Sequence, residues 1–274
     1  IRGRAFGFHR AMDHAGATVG PLIAALLLAQ AGMRPGAVIA WAALPGAVAV
    51  AVVWLAMRRI PATASEASEL HGPPAAPLAA SRLSSPLLAC VVGFAFARLP
   101  ETLFLLRLQD LGVSVAVVPV MWALLHVVRT SASYPGGWLS DHIGPKRTMQ
   151  SGWLLYATVC GGLAWSSTAM AGAAWFLAFG LVAGATEASE RTLVAALGGA
   201  ERRGRAFGAY HAAVGVAALP GGLVLGAIYS AFGGAVALLA SGAAGAVLAV
   251  AALGTRDSSP TTPPRTRSGR TVLP

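Results

Sequence analysis

The stretch Gly136-Gly137-Trp138-Leu139-Ser140-Asp141-His142-Ile143-Gly144-Pro145-Lys146-Arg147 decides how this chain is read. It sits between two long apolar runs and gathers one acid, two basic residues and three glycines. Gly and Pro predict a compact polar turn at this point. Asp141 is placed to accept backbone N–H groups or to face a helix N-terminus, and Lys146 and Arg147 to anchor the loop on a basic side.

The runs on either side of it belong to a series. Apolar stretches of about 18–22 residues, each long enough to cross a ~30 Å hydrocarbon core as helix, recur across the sequence. They fall near residues 11–30, 38–57, 86–106, 113–133, 149–165, 169–193, 207–229 and 235–253. The composition agrees: of 274 residues, 56% are hydrophobic and 11% charged, where a soluble domain carries about 25% charged residues. The expected fold class is an all-α membrane protein with eight transmembrane helices.

A net charge of +10 would suit nucleic acid only if it lay on the face of a soluble fold. Here the basic residues lie between apolar runs, so no nucleic-acid partner is expected. Sorting them into alternate loops puts seventeen on one side and leaves Arg34, Arg98 and Arg107 on the other. Cytoplasmic loops hold the excess of Lys and Arg, which predicts both termini of this chain on the cytoplasmic side of a multi-pass protein in the inner (plasma) membrane. Nineteen of the twenty basic residues are Arg, and Asn is absent. With abundant Ala and Gly, this bias fits a GC-rich bacterial genome. Cys90 and Cys160 lie inside apolar runs and read as small buried hydrophobes.

Residues 58–85 are polar and rich in Pro and Ser, and read as a cytoplasmic linker. Residues 255–274 show no apolar period and are expected to form a disordered tail. An internal repeat relates the two sides of the linker. Arg2-Gly3-Arg4-Ala5-Phe6-Gly7 recurs as Arg203-Gly204-Arg205-Ala206-Phe207-Gly208, each copy leading into a span that bears a proline, Pro21 or Pro220. Matching halves are implied. The second copy opens the fifth of six spans after the linker, so the first is expected to open a fifth span too, with four more upstream.

On these features the chain resembles the major facilitator superfamily, in which two six-span bundles flank a long cytoplasmic linker. Gly137, Leu139, Asp141 and Gly144 match that family's G-x-L-x-D-x-x-G loop signature, followed by the basic residues Lys146 and Arg147. His142 stands where Arg is commoner, and Pro145 precedes the basic pair. The resemblance implies residues 1–57 as the last two helices of an N-terminal bundle and 86–254 as a complete six-helix C-terminal bundle. It also implies that Asp141 latches one bundle to the other, against the turn from Phe6 to Arg10. Gly7, Gly16, Gly20 and Pro21 reproduce the G-x8-G-x3-G-P spacing of the antiporter motif in drug-efflux members, with Ala24 in place of the next Gly. Ordinary small-residue packing between helices is the alternative reading.

Ionisable groups inside spans are costly and therefore candidates for function. Asp13, Glu101 and Glu187 lead them as coupling or substrate residues, Glu101 because it follows a bend-forming Pro100. Asp13, His126, Arg129, Glu187 and Glu190 are expected within about two turns of the cytoplasmic ends, at ~1.5 Å per residue. The alternative for this set is a network of buried ion pairs holding the bundles in register, with Glu190 paired to a nearby Arg. His9 and His211 are expected to face headgroups or a partner helix. No metal-ligand spacing, nucleotide-binding loop or nucleophile elbow occurs. No cofactor, metal or enzymatic activity is expected. The predicted function is secondary transport of a small organic molecule, by proton-coupled efflux. An uptake symporter and a non-transporting truncated remnant are the alternatives. The partners are substrate, protons and the lipid bilayer.

Overall fold

The computed structural model describes residues 2–29, 33–59, 86–198 and 203–255. Every described element is helical. In chain order the helices are α1 (Arg2–Ala29), α2 (Pro35–Arg59), α3 (Pro86–Ala97), α4 (Glu101–Asp110), α5 (Val118–Ile143), α6 (Pro145–Trp165), α7 (Ala169–Gly198), α8 (Arg203–Phe232) and α9 (Gly234–Ala251). Residues 60–85 of the expected linker and 256–274 of the expected tail lie outside the described residues.

Among the described residues, five stretches are long and apolar enough to cross a membrane: Gly36–Arg59, Pro86–Asp110, Ala169–Ala196, Gly204–Phe232 and Gly234–Gly254. The remaining long helices, α1, α5 and α6, run for 28, 26 and 21 residues, enough by length, but carry more polar and charged side chains. The protein is thus an all-helical, multi-pass membrane protein.

The stretch read as a tight loop is mostly helix. α5 continues unbroken through Gly136, Gly137 and Asp141 to Ile143, and the reversal is made by Gly144 alone, at φ 91° and ψ 151°. That backbone conformation favours glycine, and Pro145 then starts α6 where its missing N–H costs no helical bond. The other two glycines have a different task, taken up below.

One span is split. α3 stops at Ala97 and α4 starts at Glu101, after Pro100 with ψ 139°. Proline cannot donate the helical bond, and the freed backbone groups need other partners inside a bilayer. The Leu99 amide donates to Tyr156 Oη (2.8 Å) and reaches Ser241 Oγ (3.1 Å), while the Ser241 hydroxyl donates to the Ala97 carbonyl (2.6 Å). α6 and α9 therefore hold the break open.

The core of the region from α3 to α9 is aromatic. Phe94 stacks on Trp153 at 4.9 Å and Phe104 on Phe179 at 4.5 Å between centroids, with Trp153, Tyr156 and Phe104 fully buried. Stacked pairs add to the area they bury by roughly 0.5–1.5 kcal/mol. α1 packs chiefly on α5 and also on α7. α2 meets α1, and its residues 39–59 are all exposed, a surface suited to lipid or to further helices.

Candidate functional site

Two features carry chemistry: a close crossing of α1 and α5, and a charged cavity between α1, α3, α4, α7 and α8.

The crossing is built from glycines. A Cβ on Gly3 would stand 2.3 Å from the Gly137 carbonyl oxygen, and one on Gly137 would stand 2.2 Å from the Gly3 carbonyl oxygen. A Cβ on Gly7 would likewise stand 2.5 Å from the Ser133 carbonyl oxygen. On a second face of α5, about 100° round the helix, Gly136 abuts Gly184 of α7, so α1 and α7 both approach α5 closely. Small residues permit this approach, and it brings Asp141 over the first turn of α1. Its two carboxylate oxygens accept from the Gly3 amide (2.8 Å) and the Arg4 amide (3.0 Å), with the Arg4 guanidinium 3.5 Å away. The partner is the turn at Gly3 and Arg4, one turn before the Phe6–Arg10 segment expected, because α1 begins at Arg2 and its orphan amides lie there. Burial raises the Asp141 carboxyl, which lies beyond the expected span, while the amides of Arg4 and Gly3 and the positive charge of the chain's first amino group lower it, and on balance it is held below its ordinary range.

The rest of the signature is unevenly engaged. Lys146 donates to the Thr255 carbonyl, Gly144 makes the turn, and Leu139 is half-buried. Arg147 is exposed and makes no hydrogen bond or ion pair among the described residues. The two repeat copies meet in space: the Phe6 and Phe207 rings are 6.2 Å apart. Of the antiporter-like positions only Gly7 serves the crossing. Gly16 and Gly20 have nothing within 4 Å of a Cβ position, so packing among the described residues does not account for them. Pro21 lies inside α1, half-buried.

The cavity has a volume of about 350 Å³. Glu101 and Glu187 both line it and both are tied across helices. Glu101 takes a bidentate pair from Arg129 of α5, at 2.7 and 3.1 Å. Glu187 of α7 binds Arg10 of α1 and lies 3.2 Å from His14 Nε2. The His14 ring packs edge-on against His126 at 5.5 Å. The expected separation by depth does not hold: Glu101 and Arg129 bond directly, because α5 and α7 extend well past the apolar runs and carry Arg129 and Glu187 away from their ends.

Three further residues singled out in the sequence have these surroundings. Asp13 is outside the cavity, its side chain 44% exposed and paired with Arg10 (3.0 Å) and His9 (3.5 Å) on its own helix. The close partner of Glu190 is the Tyr210 hydroxyl at 2.6 Å rather than an arginine. His211, expected to face headgroups or a partner helix, lines the cavity. Arg10, Arg191 and Tyr210 are cavity residues that sequence reasoning did not single out, since the two arginines counted as loop charges. Arg10 stands four residues before His14, a helical spacing that puts both on one face and could have marked it.

The family model described as Major Facilitator Superfamily matches residues 102–273. An uncharacterized protein of Mycobacterium tuberculosis is 28% identical over 237 residues, covering 83% of this chain and 56% of the relative. A Mycobacterium bovis protein, also uncharacterized, matches to the same extent. An uncharacterized MFS-type transporter of Methanocaldococcus jannaschii is 23% identical over 233 residues, covering 83% of this chain and 58% of that protein. The chain thus spans a little over half the length of the curated relatives it matches.

Proposed function

Because the chain belongs to the Major Facilitator Superfamily, we propose that it serves the secondary transport of a small organic molecule by alternating access, outward and in exchange for protons. The observation that carries this reading is the cavity, whose charged walls are joined across helices by the pairs Glu101–Arg129 and Glu187–Arg10. Ion pairs between different helices give a bundle two states to choose between, one with the pair made and one with it released.

In this reading all eight expected spans cross the membrane, α3 and α4 together making one. Residues 1–57 belong to the first bundle, 58–85 link the bundles, 86–254 form the second and 255–274 the tail. The excess of basic residues on one side supports cytoplasmic termini, and it survives the removal of cavity groups. Taking Arg10, Arg129 and Arg191 from the seventeen leaves fourteen, against two once Arg98 is removed from the three.

The Asp141 contact with Gly3 and Arg4 is the latch that closes the cytoplasmic side, with Gly137, Leu139, Gly144, Lys146 and Arg147 shaping it. Glu187 is the coupling carboxylate best supported by geometry. It holds α1 through Arg10 and His14, so taking up a proton there would release α1 from α7. Glu101 holds α4 to α5 in the same manner, and Asp13 modulates Arg10 from its own helix. The efflux direction rests on the spacing of Gly7, Gly16, Gly20 and Pro21.

The test uses inside-out vesicles containing the protein and a panel of small organic acids, amines and neutral aromatics. A proton gradient should drive uptake of at least one class, nigericin should abolish it, and Glu187→Gln should uncouple it. Uptake indifferent to nigericin would sink the coupling claim, and no uptake across the panel would sink the transport reading.

A further inference from the structure

The arginines of the cavity are not all answered. Arg10, Arg98 and Arg191 line the cavity with Glu101, Glu187 and Glu190, three charges of each sign, and Arg129 and Asp13 add one of each through their pairs with Glu101 and Arg10. The distribution is uneven. Arg129 is spent on Glu101 and Arg10 on Glu187 and Asp13. Arg98 and Arg191 make no hydrogen bond or close ion pair among the described residues, and both act at longer range on Glu190 and Tyr210. Two cations therefore share one carboxylate, itself already hydrogen-bonded to a phenol.

Arg98 is exposed and Arg191 half-buried, so their donors are open to a ligand, and a planar fork of N–H donors matches a carboxylate or sulfonate. Next to them the wall turns apolar: Phe94 and Leu99 on one side, Val214 and Ala218 of α8 on the other. A volume of about 350 Å³ lies within the range that holds a small organic ligand. We infer that the cavity takes a small amphipathic organic anion, with its acidic group at Arg98 and Arg191 and its apolar part against Phe94, Leu99, Val214 and Ala218. This rests on reading the cavity as the transport cavity, and it names the class of substrate.

The test measures binding rather than flux. The intact protein in lipid nanodiscs is dialysed to equilibrium against radiolabelled salicylate and, separately, against benzyltrimethylammonium, a cation of similar size, with empty nanodiscs as the blank. Salicylate should bind saturably and the cation should not. Arg98→Gln and Arg191→Gln should each weaken salicylate binding at least tenfold. Arg98→Lys and Arg191→Lys, which keep the charge, should lose less, and Arg58→Gln on the exposed end of α2 should change nothing. Thermal unfolding of each variant in the same nanodiscs identifies any that fail to fold, and for those the lysine variant decides. Saturable binding of the cation without the anion, absence of saturable salicylate binding, or equal affinity in the glutamine variants would overturn the inference. Salicylate bound but never carried would count against the transport reading alone.

Discussion

Gly137→Ala tests the crossing of α1 and α5 without touching a charge. The new methyl would lie 2.2 Å from the Gly3 carbonyl oxygen and 2.8 Å from its carbon. These are backbone atoms of another helix and cannot turn aside as a side chain would. Ordinary C···O contact needs roughly 3.2 Å, so the helices must part by about 1 Å. Such a shift would stretch the bonds from the Gly3 and Arg4 amides to Asp141, now 2.8 and 3.0 Å, beyond hydrogen-bonding range. Hydrogen bonds to a charged group contribute about 1.5–3 kcal/mol each. Because the contact is only partly buried, a value within the range for one such bond rather than two, about 2 kcal/mol, is the estimate for the latch, or roughly thirtyfold in the ratio of closed to open crossing.

A thiol placed beside the crossing reads that ratio. Ser140 is 2% exposed and borders Gly3, so Ser140→Cys in a background with Cys90 and Cys160 replaced puts a nearly isosteric probe there. A membrane-impermeant maleimide should label it slowly in the parent and about thirtyfold faster with Gly137→Ala, provided opening precedes labelling. Asp141→Asn should act in the same direction. Gly16→Ala, with nothing within 4 Å of its Cβ position, is the control that should leave the rate unchanged. An unchanged rate in a folded Gly137→Ala protein would refute the argument that glycine at this crossing positions the carboxylate.

Glu101→Gln leaves the Arg129 guanidinium, 5% exposed, without its counter-charge, and should cost about 3 kcal/mol, seen as a lower melting temperature in detergent; an unchanged melt would show the pair to be solvated. Tyr156→Phe removes an acceptor for the Leu99 amide and should speed hydrogen exchange there about tenfold, a loss of roughly 1–1.5 kcal/mol; unchanged protection would mean that Ser241 suffices. Since the Asp141 carboxyl is held below its ordinary range, the latch is complete above the unfolded value near ~3.9 and is lost as pH falls through the lower folded one. A distance between spin labels at Phe8 and Ile143 should therefore stay constant from about pH 8 to pH 5 and lengthen only below about pH 4, and lengthening near pH 6 would assign the transition to another group.

The helical class and the positions of the apolar runs were legible because each run is uniform in hydropathy over more than a membrane's thickness. The helix ends were not, since α5 and α7 continue as helix beyond the apolar stretch where polar residues meet protein instead of lipid. For the same reason Gly136 and Gly137 were read as turn residues. A glycine that lets two helices touch and one that reverses the chain have the same letter, and only Gly144 with its positive φ does the latter. The carboxylates of the cavity stood out as ionisable groups in apolar runs. Their partners did not, because Arg10 and Arg191 lie close enough to the run ends to pass as topology signals, and Tyr210 carries no charge at all.

The charge balance of the cavity has an electrical consequence. Counted with the partners of its pairs, four guanidinium groups face four carboxylates, so the empty cavity is formally neutral and takes on one negative charge when it holds one monovalent anion. The membrane potential acts on a moving charge with about 2.3 kcal/mol per 100 mV, and on a neutral unit not at all. With neither anion nor proton aboard, the rearrangement would then be indifferent to voltage, while the loaded one would carry the cost. Flux of a monovalent anion is accordingly expected to follow the potential when the loaded step limits turnover, and exchange of labelled for unlabelled anion across the same vesicles should follow it too. Arg98 and Arg191, read first as a recognition pair, would in that setting hold the charge on which the field acts.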